Sequence, residues 1–177
     1  MKTSRPVRIA LVLLAVTIVW IAFQHIMGYN TTRHDIGQYT RMVTMILFWA
    51  AIFIVVRNEK RIRGTISFAE ALKAGLMSSL VYCAGFTIFI FLYQHFVNPE
   101  FYQTLKAFML TQMQEQHATQ QQIDAKMNEV DMSFNGSALS FILMFIFSFI
   151  WGVIISAIAA LIYRTRKVAN QPTESVK

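Results

Sequence analysis

A single cysteine, Cys83, excludes any intrachain disulfide and any multi-thiolate metal site. Charge is also scarce. Only 14% of the 177 residues are charged while 55% are hydrophobic, whereas a soluble domain carries roughly a quarter charged residues. No Walker loop, G-x-S-x-G elbow, H-E-x-x-H pair or thiol pair occurs, so the sequence offers an enzyme no support. Ionisable residues are missing from the centre of every long apolar run, where a transporter ordinarily keeps them. The obvious polar side chains there are Thr17, Thr44, Ser79, Tyr82, Thr87, Ser148 and Ser156, all able to bond to their own helix.

The apolar runs are residues 9–23, 42–56, 74–93 and 138–163. A bilayer core needs about 20 helical residues to cross, so four transmembrane helices are expected, spanning about 7–27, 38–56, 74–97 and 138–163. The second run is the least secure, because its 15 residues fall short of a full span. It becomes a full span only if Gln38, Tyr39, Thr40 and Arg41 join it, with Arg41 reaching back to water. The expected fold is therefore an all-α integral membrane protein, a single membrane domain over residues 1–177. Segment 98–135 would form two amphipathic helices in an outer loop, and 164–177 a tail.

Charge placement orients this scheme. Lys2, Arg5 and Arg8 precede the first span; Arg57, Lys60, Arg61, Arg63 and Lys73 lie between the second and third; Arg164, Arg166, Lys167 and Lys177 follow the fourth. These 12 of 16 basic residues would share one face, opposite Arg33, Arg41, Lys106 and Lys126. The positive-inside rule then places both termini in the cytoplasm. This distribution accounts for the net charge of +7 without a nucleic-acid partner. The basic start and apolar stretch at the N-terminus imitate a secretory signal, but the exit reads FQHIMGYN with no A-x-A-like site, so the first helix is expected to be retained.

Several local signals organise the chain. Ser67 with Glu70, and Thr119 with Gln122, have capping-box spacing. Asn98 and Pro99 should break the third helix, with Asn98 as a cap and Pro99 in the first turn of the next helix. After the break, Phe101, Leu105, Phe108, Met109 and Met113 form one apolar stripe, and Ile123, Met127 and Val130 another. Such helices either lie on the membrane and cover the bundle or bind a partner. Lys73, about one turn below the third apolar run, reads as a snorkelling side chain or as a substrate or proton residue.

Two small-residue ladders step by four: Ala71, Gly75, Ser79 and Cys83 in the third helix, and Ser148, Gly152, Ser156 and Ala160 in the fourth. Helices in lipid associate through close packing contacts, so both faces should be buried, against each other or against a second copy or membrane partner. A repeated motif raises a different question. FQHIM at 23–27 and YQHFV at 93–97 put His25 and His95 at matched depth, where two imidazoles could hold a haem. The same positions, with Trp20, Phe23, Tyr29 and Tyr93, suit an interfacial aromatic belt with no cofactor, and His34 and His117 lie on that side too.

The stretches SFAEALKAGL, YQHFVNPEF, IDAKMNEV and WGVIISAIAALI, in that order, resemble a bacterial four-helix membrane family, domain of unknown function 4199. Phe68, Ala71, Lys73 and Gly75 fit its opening of the third helix, and Asn98, Pro99, Glu100 and Phe101 its break. The resemblance implies a plasma-membrane location and no established activity. Together these readings point to a noncatalytic structural, interaction or accessory subunit, with a small-solute channel or transporter as the alternative and a haem-binding electron-transfer subunit as a remote one.

Overall fold

The computed structural model describes residues 4–165, which form six α-helices: α1 (Arg5–Ile26), α2 (His34–Arg63), α3 (Phe68–Leu92), α4 (Phe101–Glu115), α5 (Gln120–Phe134) and α6 (Ala138–Tyr163). Lys2, Arg166, Lys167 and Lys177, which entered the charge reading, lie outside the described residues. Helices α1, α2, α3 and α6 are long and apolar enough to cross a membrane. Their outward faces carry large exposed hydrophobic side chains, among them Val19, Ile46, Ile88, Phe147 and Ile162. Lipid is the solvent that such a surface needs.

The weakest sequence span became the longest helix. α2 runs for 30 residues because the charged stretch RNEKRIR continues the helix instead of forming a loop. Lys60, Arg61 and Arg63 in its last turn complement the partial negative charge of a helix C-terminus. Arg63 Nε also donates to Glu59 one turn back, and its Nη1 reaches Glu70 in α3. Glu70 closes the capping box with Ser67, so the α2–α3 turn and the start of α3 form one polar network. Lys73 is exposed and lines the same end-groove with Arg5, Glu59, Arg63 and Glu70.

The two small-residue ladders meet within one chain, and α3 with α6 is the most extensive helix pair. A Cβ at Gly75 would lie 2.8 Å from Ser156 Cβ, and one at Gly152 would lie 2.7 Å from Ser79 Cβ. The absence of both side chains is what lets these backbones approach. Ser79 Oγ donates to the Gly75 carbonyl at 2.9 Å and lies 3.3 Å from Ser156 Oγ. Ala71, Cys83 and Ala160 are buried on the same seam, whereas Ser148 is half-buried and lines a cavity. Helix α1 packs on α2 and α3, where Thr17 and Tyr82 share a 2.6 Å hydrogen bond.

The break after α3 differs in detail from the sequence reading. A π-helical turn, Tyr93–Val97, ends the helix, and α4 begins only at Phe101, with Glu100 in the capping position. Asn98 therefore does not cap α4, and Pro99 precedes its first turn. Instead, buried Asn98 Nδ2 donates to the Asn30 carbonyl at 2.8 Å and to Tyr93 Oη at 3.2 Å. A buried carbonyl in the α1–α2 connection needs a donor, and that need outweighs a solvent-accessible cap.

Helices α4 and α5 form an antiparallel hairpin laid over one end of the bundle, with α5 against α6 and α4 touching α2. Thr119 and Gln122 make the capping box that starts α5. Phe101, Leu105 and Val130 are the buried members of the two apolar stripes. Lys106 Nζ and Tyr102 Oη both reach Asp131 Oδ1 at 2.6 Å and clasp the hairpin. Buried His34, at the start of α2, meets Thr104 Oγ1 at 2.9 Å and fastens the hairpin to the bundle.

Candidate functional site

The paired QH motifs bring glutamines together, not histidines. His25 Nδ1 lies 3.0 Å from Tyr93 Oη at the α1–α3 contact, while His95 is exposed, tilted against Phe91 and close to Phe141 of α6. Each imidazole thus addresses a different neighbour. His95 Nδ1 donates to the Phe91 carbonyl at 2.9 Å, whereas His25 Nδ1 shares its hydrogen bond with the Tyr93 hydroxyl, which also accepts from Asn98. Gln24 and Gln94, by contrast, line one cavity. Gln24 is 1% exposed and donates to Thr40 Oγ1 at 2.8 Å.

That cavity, about 190 Å³, lies beneath the α4–α5 hairpin, whose Phe101, Ser133 and Phe134 contribute to its walls. A second one, about 270 Å³, lies between α2, α3 and α6 and is lined by Phe48, Trp49, Tyr82, Phe147, Ser148 and Trp151. Arg41, Thr44 and Phe86 line both. The deeper cavity opens at the α2–α6 seam, where its lining residues Met45, Phe147 and Trp151 are 40%, 62% and 50% exposed.

Arg41 is half-buried, and one of its guanidinium nitrogens is enclosed. Its side chain turns toward the start of α2, and Nη1 comes within 3.3 Å of where a Cβ of Gly37 would lie. There the nitrogen is buried with no hydrogen-bond partner. Trp49 Nε1, in the wall of the deeper cavity, is buried without a partner as well. Two enclosed, orphaned donors are a costly arrangement, and the Arg41 side chain that carries one of them lines both cavities. The sequence signal for this site was present in Arg41 itself, one cation at the edge of an apolar run. Nothing in the sequence showed that its neighbours would enclose it.

Chemically, the chamber offers hydrogen-bond donors and apolar walls. Tyr82 is held by Thr17, and Cys83 is buried on the helix seam. Among the described residues, no group of three His, Cys, Asp or Glu side chains is placed to hold a metal ion.

A family model described as a protein of unknown function (DUF4199) matches residues 8–165, nearly the full length of the described bundle. The chain belongs to the DUF4199 family. The match takes in all four apolar helices, the break at Asn98 and the α4–α5 hairpin, so membership attaches to the entire architecture. No curated protein and no solved structure matches the chain.

Proposed function

We propose that this DUF4199 protein is a noncatalytic, multi-pass component of the bacterial plasma membrane, acting as a structural, interaction or accessory subunit with both termini in the cytoplasm. The observation that carries this reading is how the membrane-level hydroxyls are used. Thr17 bonds Tyr82, Ser79 bonds the Gly75 carbonyl and sits against Ser156, and Thr40 bonds the Gly37 carbonyl and Gln24. These groups hold helices together and are not left to hydrate a passing solute. Orientation rests on the basic ends of α2 and α1 lying at the same end of the bundle, opposite the α4–α5 hairpin.

The second reading, a small-solute transporter, draws on the chamber around Arg41. Solute flux into proteoliposomes, run beside purification from native membranes, separates the two. The accessory reading expects flux at the protein-free level and a membrane partner retained at fixed stoichiometry. Saturable flux lost in Arg41→Gln would make transport the better account.

A further inference from the structure

We propose that the chamber around Arg41 is a binding site for an anionic acyl lipid that enters sideways from the leaflet at the α4–α5 end, with its head on the guanidinium and its chain between α2 and α6. Three independent observations converge on this occupant. The first is charge: none of the four ion pairs among the described residues includes Arg41, whose half-buried side chain lines both compartments. A half-buried cation without an ion-pair partner suits an anion or a strong acceptor, and a planar guanidinium fits phosphate or carboxylate oxygens.

The second observation is polarity along the chamber. Arg41 stands where a mostly apolar compartment that also carries Gln24, Asn30, Gln94 and Ser133 adjoins one walled by Phe48, Trp49, Phe147 and Trp151. That gradient matches an amphiphile and not a hydrophilic solute. Trp49, about 12 Å further along α2 from Arg41 at the α-helical rise, adds its indole to the wall of the second compartment. The third is access: the exposed mouth residues Met45, Phe147 and Trp151 face the surroundings of the bundle at the α2–α6 seam, so a chain can enter from the bilayer without passing through water.

In the groove at the opposite end, Arg63 is already held by Glu59 and Glu70. The α4–α5 hairpin acquires a role in this arrangement. It roofs the head compartment through Phe101, Ser133 and Phe134, and shields the head from bulk water.

The test uses the full chain in phosphatidylcholine nanodiscs with Trp20→Phe, which leaves Trp49 and Trp151, both in the chamber wall, as emitters. Brominated-chain phosphatidylglycerol is added at low mole fraction, and brominated phosphatidylcholine serves as the neutral control. A charge-assisted contact predicts that the anionic lipid quenches at about one-tenth the mole fraction needed for the neutral one. Arg41→Gln should abolish that difference, and Arg41→Lys should keep part of it. In the unsubstituted protein, unbrominated phosphatidylglycerol should restore emission and phosphatidylcholine should not, a readout independent of whether Arg41→Gln folds. A brominated fatty acid distinguishes a carboxylate head from a phosphate head. Equal quenching by the anionic and neutral lipids, or an anionic preference that survives in folded Arg41→Gln, overturns the proposal.

Discussion

Filling the notch at Gly152 should weaken the bundle in proportion to how far α3 and α6 must separate. A Cβ at this position would lie 2.7 Å from Ser79 Cβ, 2.9 Å from Ser79 Oγ and 3.2 Å from Phe48 Cζ. Carbon atoms rest at about 3.5–4.0 Å, so even alanine forces the seam apart by about 1 Å. Overpacking of this kind costs about 1–3 kcal/mol, while alanine recovers up to about 1 kcal/mol of helix propensity relative to glycine. Gly152→Ala should therefore cost about 1 kcal/mol net, and Gly152→Leu about 3 kcal/mol, since its longer side chain meets both Ser79 and the Phe48 ring. Ser79→Gly should relieve Gly152→Ala because it removes the two nearest atoms. A double-mutant cycle should return a coupling of about 1 kcal/mol, in the range seen for residues in direct contact. Reversible unfolding in mixed micelles, followed by helical circular dichroism, measures all four corners. Because Gly152 faces Ser79 of its own chain, oligomeric state should not change. Wild-type stability of Gly152→Leu, or strict additivity in the cycle, would refute the reasoning.

The remaining expectations concern topology, the hairpin and the histidines. In a Cys83→Ser background, an impermeant thiol reagent applied outside cells should label Glu115→Cys and spare Arg61→Cys; the reverse pattern inverts the topology. Asp131 is held below the usual carboxylate range, first by the Lys106 ammonium and then by the Tyr102 hydroxyl, while Lys106 is held above its ordinary value chiefly by Asp131. The depressed carboxyl contributes stability that is complete above its ordinary pKa and is lost as pH falls through its lowered value. The raised ammonium contributes stability that is complete below its ordinary pKa and is lost as pH rises through its raised value. The clasp should thus hold through neutrality and loosen at both extremes, read as the distance between spin labels at Gln103 and Asn128; an Asp131→Asn protein with the same acid response would sink this. Haem supplied during purification should give no stoichiometric Soret band, because His25 and His95 address different helices, and His25→Gln or His95→Gln should leave folding nearly intact. A bis-histidine spectrum lost in His95→Gln would reverse that.

Much of the architecture was legible residue by residue, because a membrane imposes its rule locally. Any segment crossing hydrocarbon must satisfy its own backbone and present apolar side chains, so the runs at 9–23, 74–93 and 138–163 announce helices with no knowledge of their neighbours. The capping boxes at Ser67 and Thr119 were equally local, since donor and acceptor lie three residues apart. The ladders showed that α3 and α6 each had a face built for close approach. Which surface each would meet is a pairwise matter, settled when Gly75 found Ser156 and Gly152 found Ser79. Asn98 looked like a cap until Asn30, 68 residues away, supplied a carbonyl with greater need. The repeated QH motif pointed to histidines because imidazole chemistry is conspicuous in a sequence, yet Gln24 and Gln94 are the members that share a chamber. Arg41 is the clearest division between the two levels. Its position at the end of an apolar run was plain, but burial belongs to the surroundings, and only the packing of α2 with α3, α6 and the hairpin half-buried it beside two cavities and enclosed its Nη1.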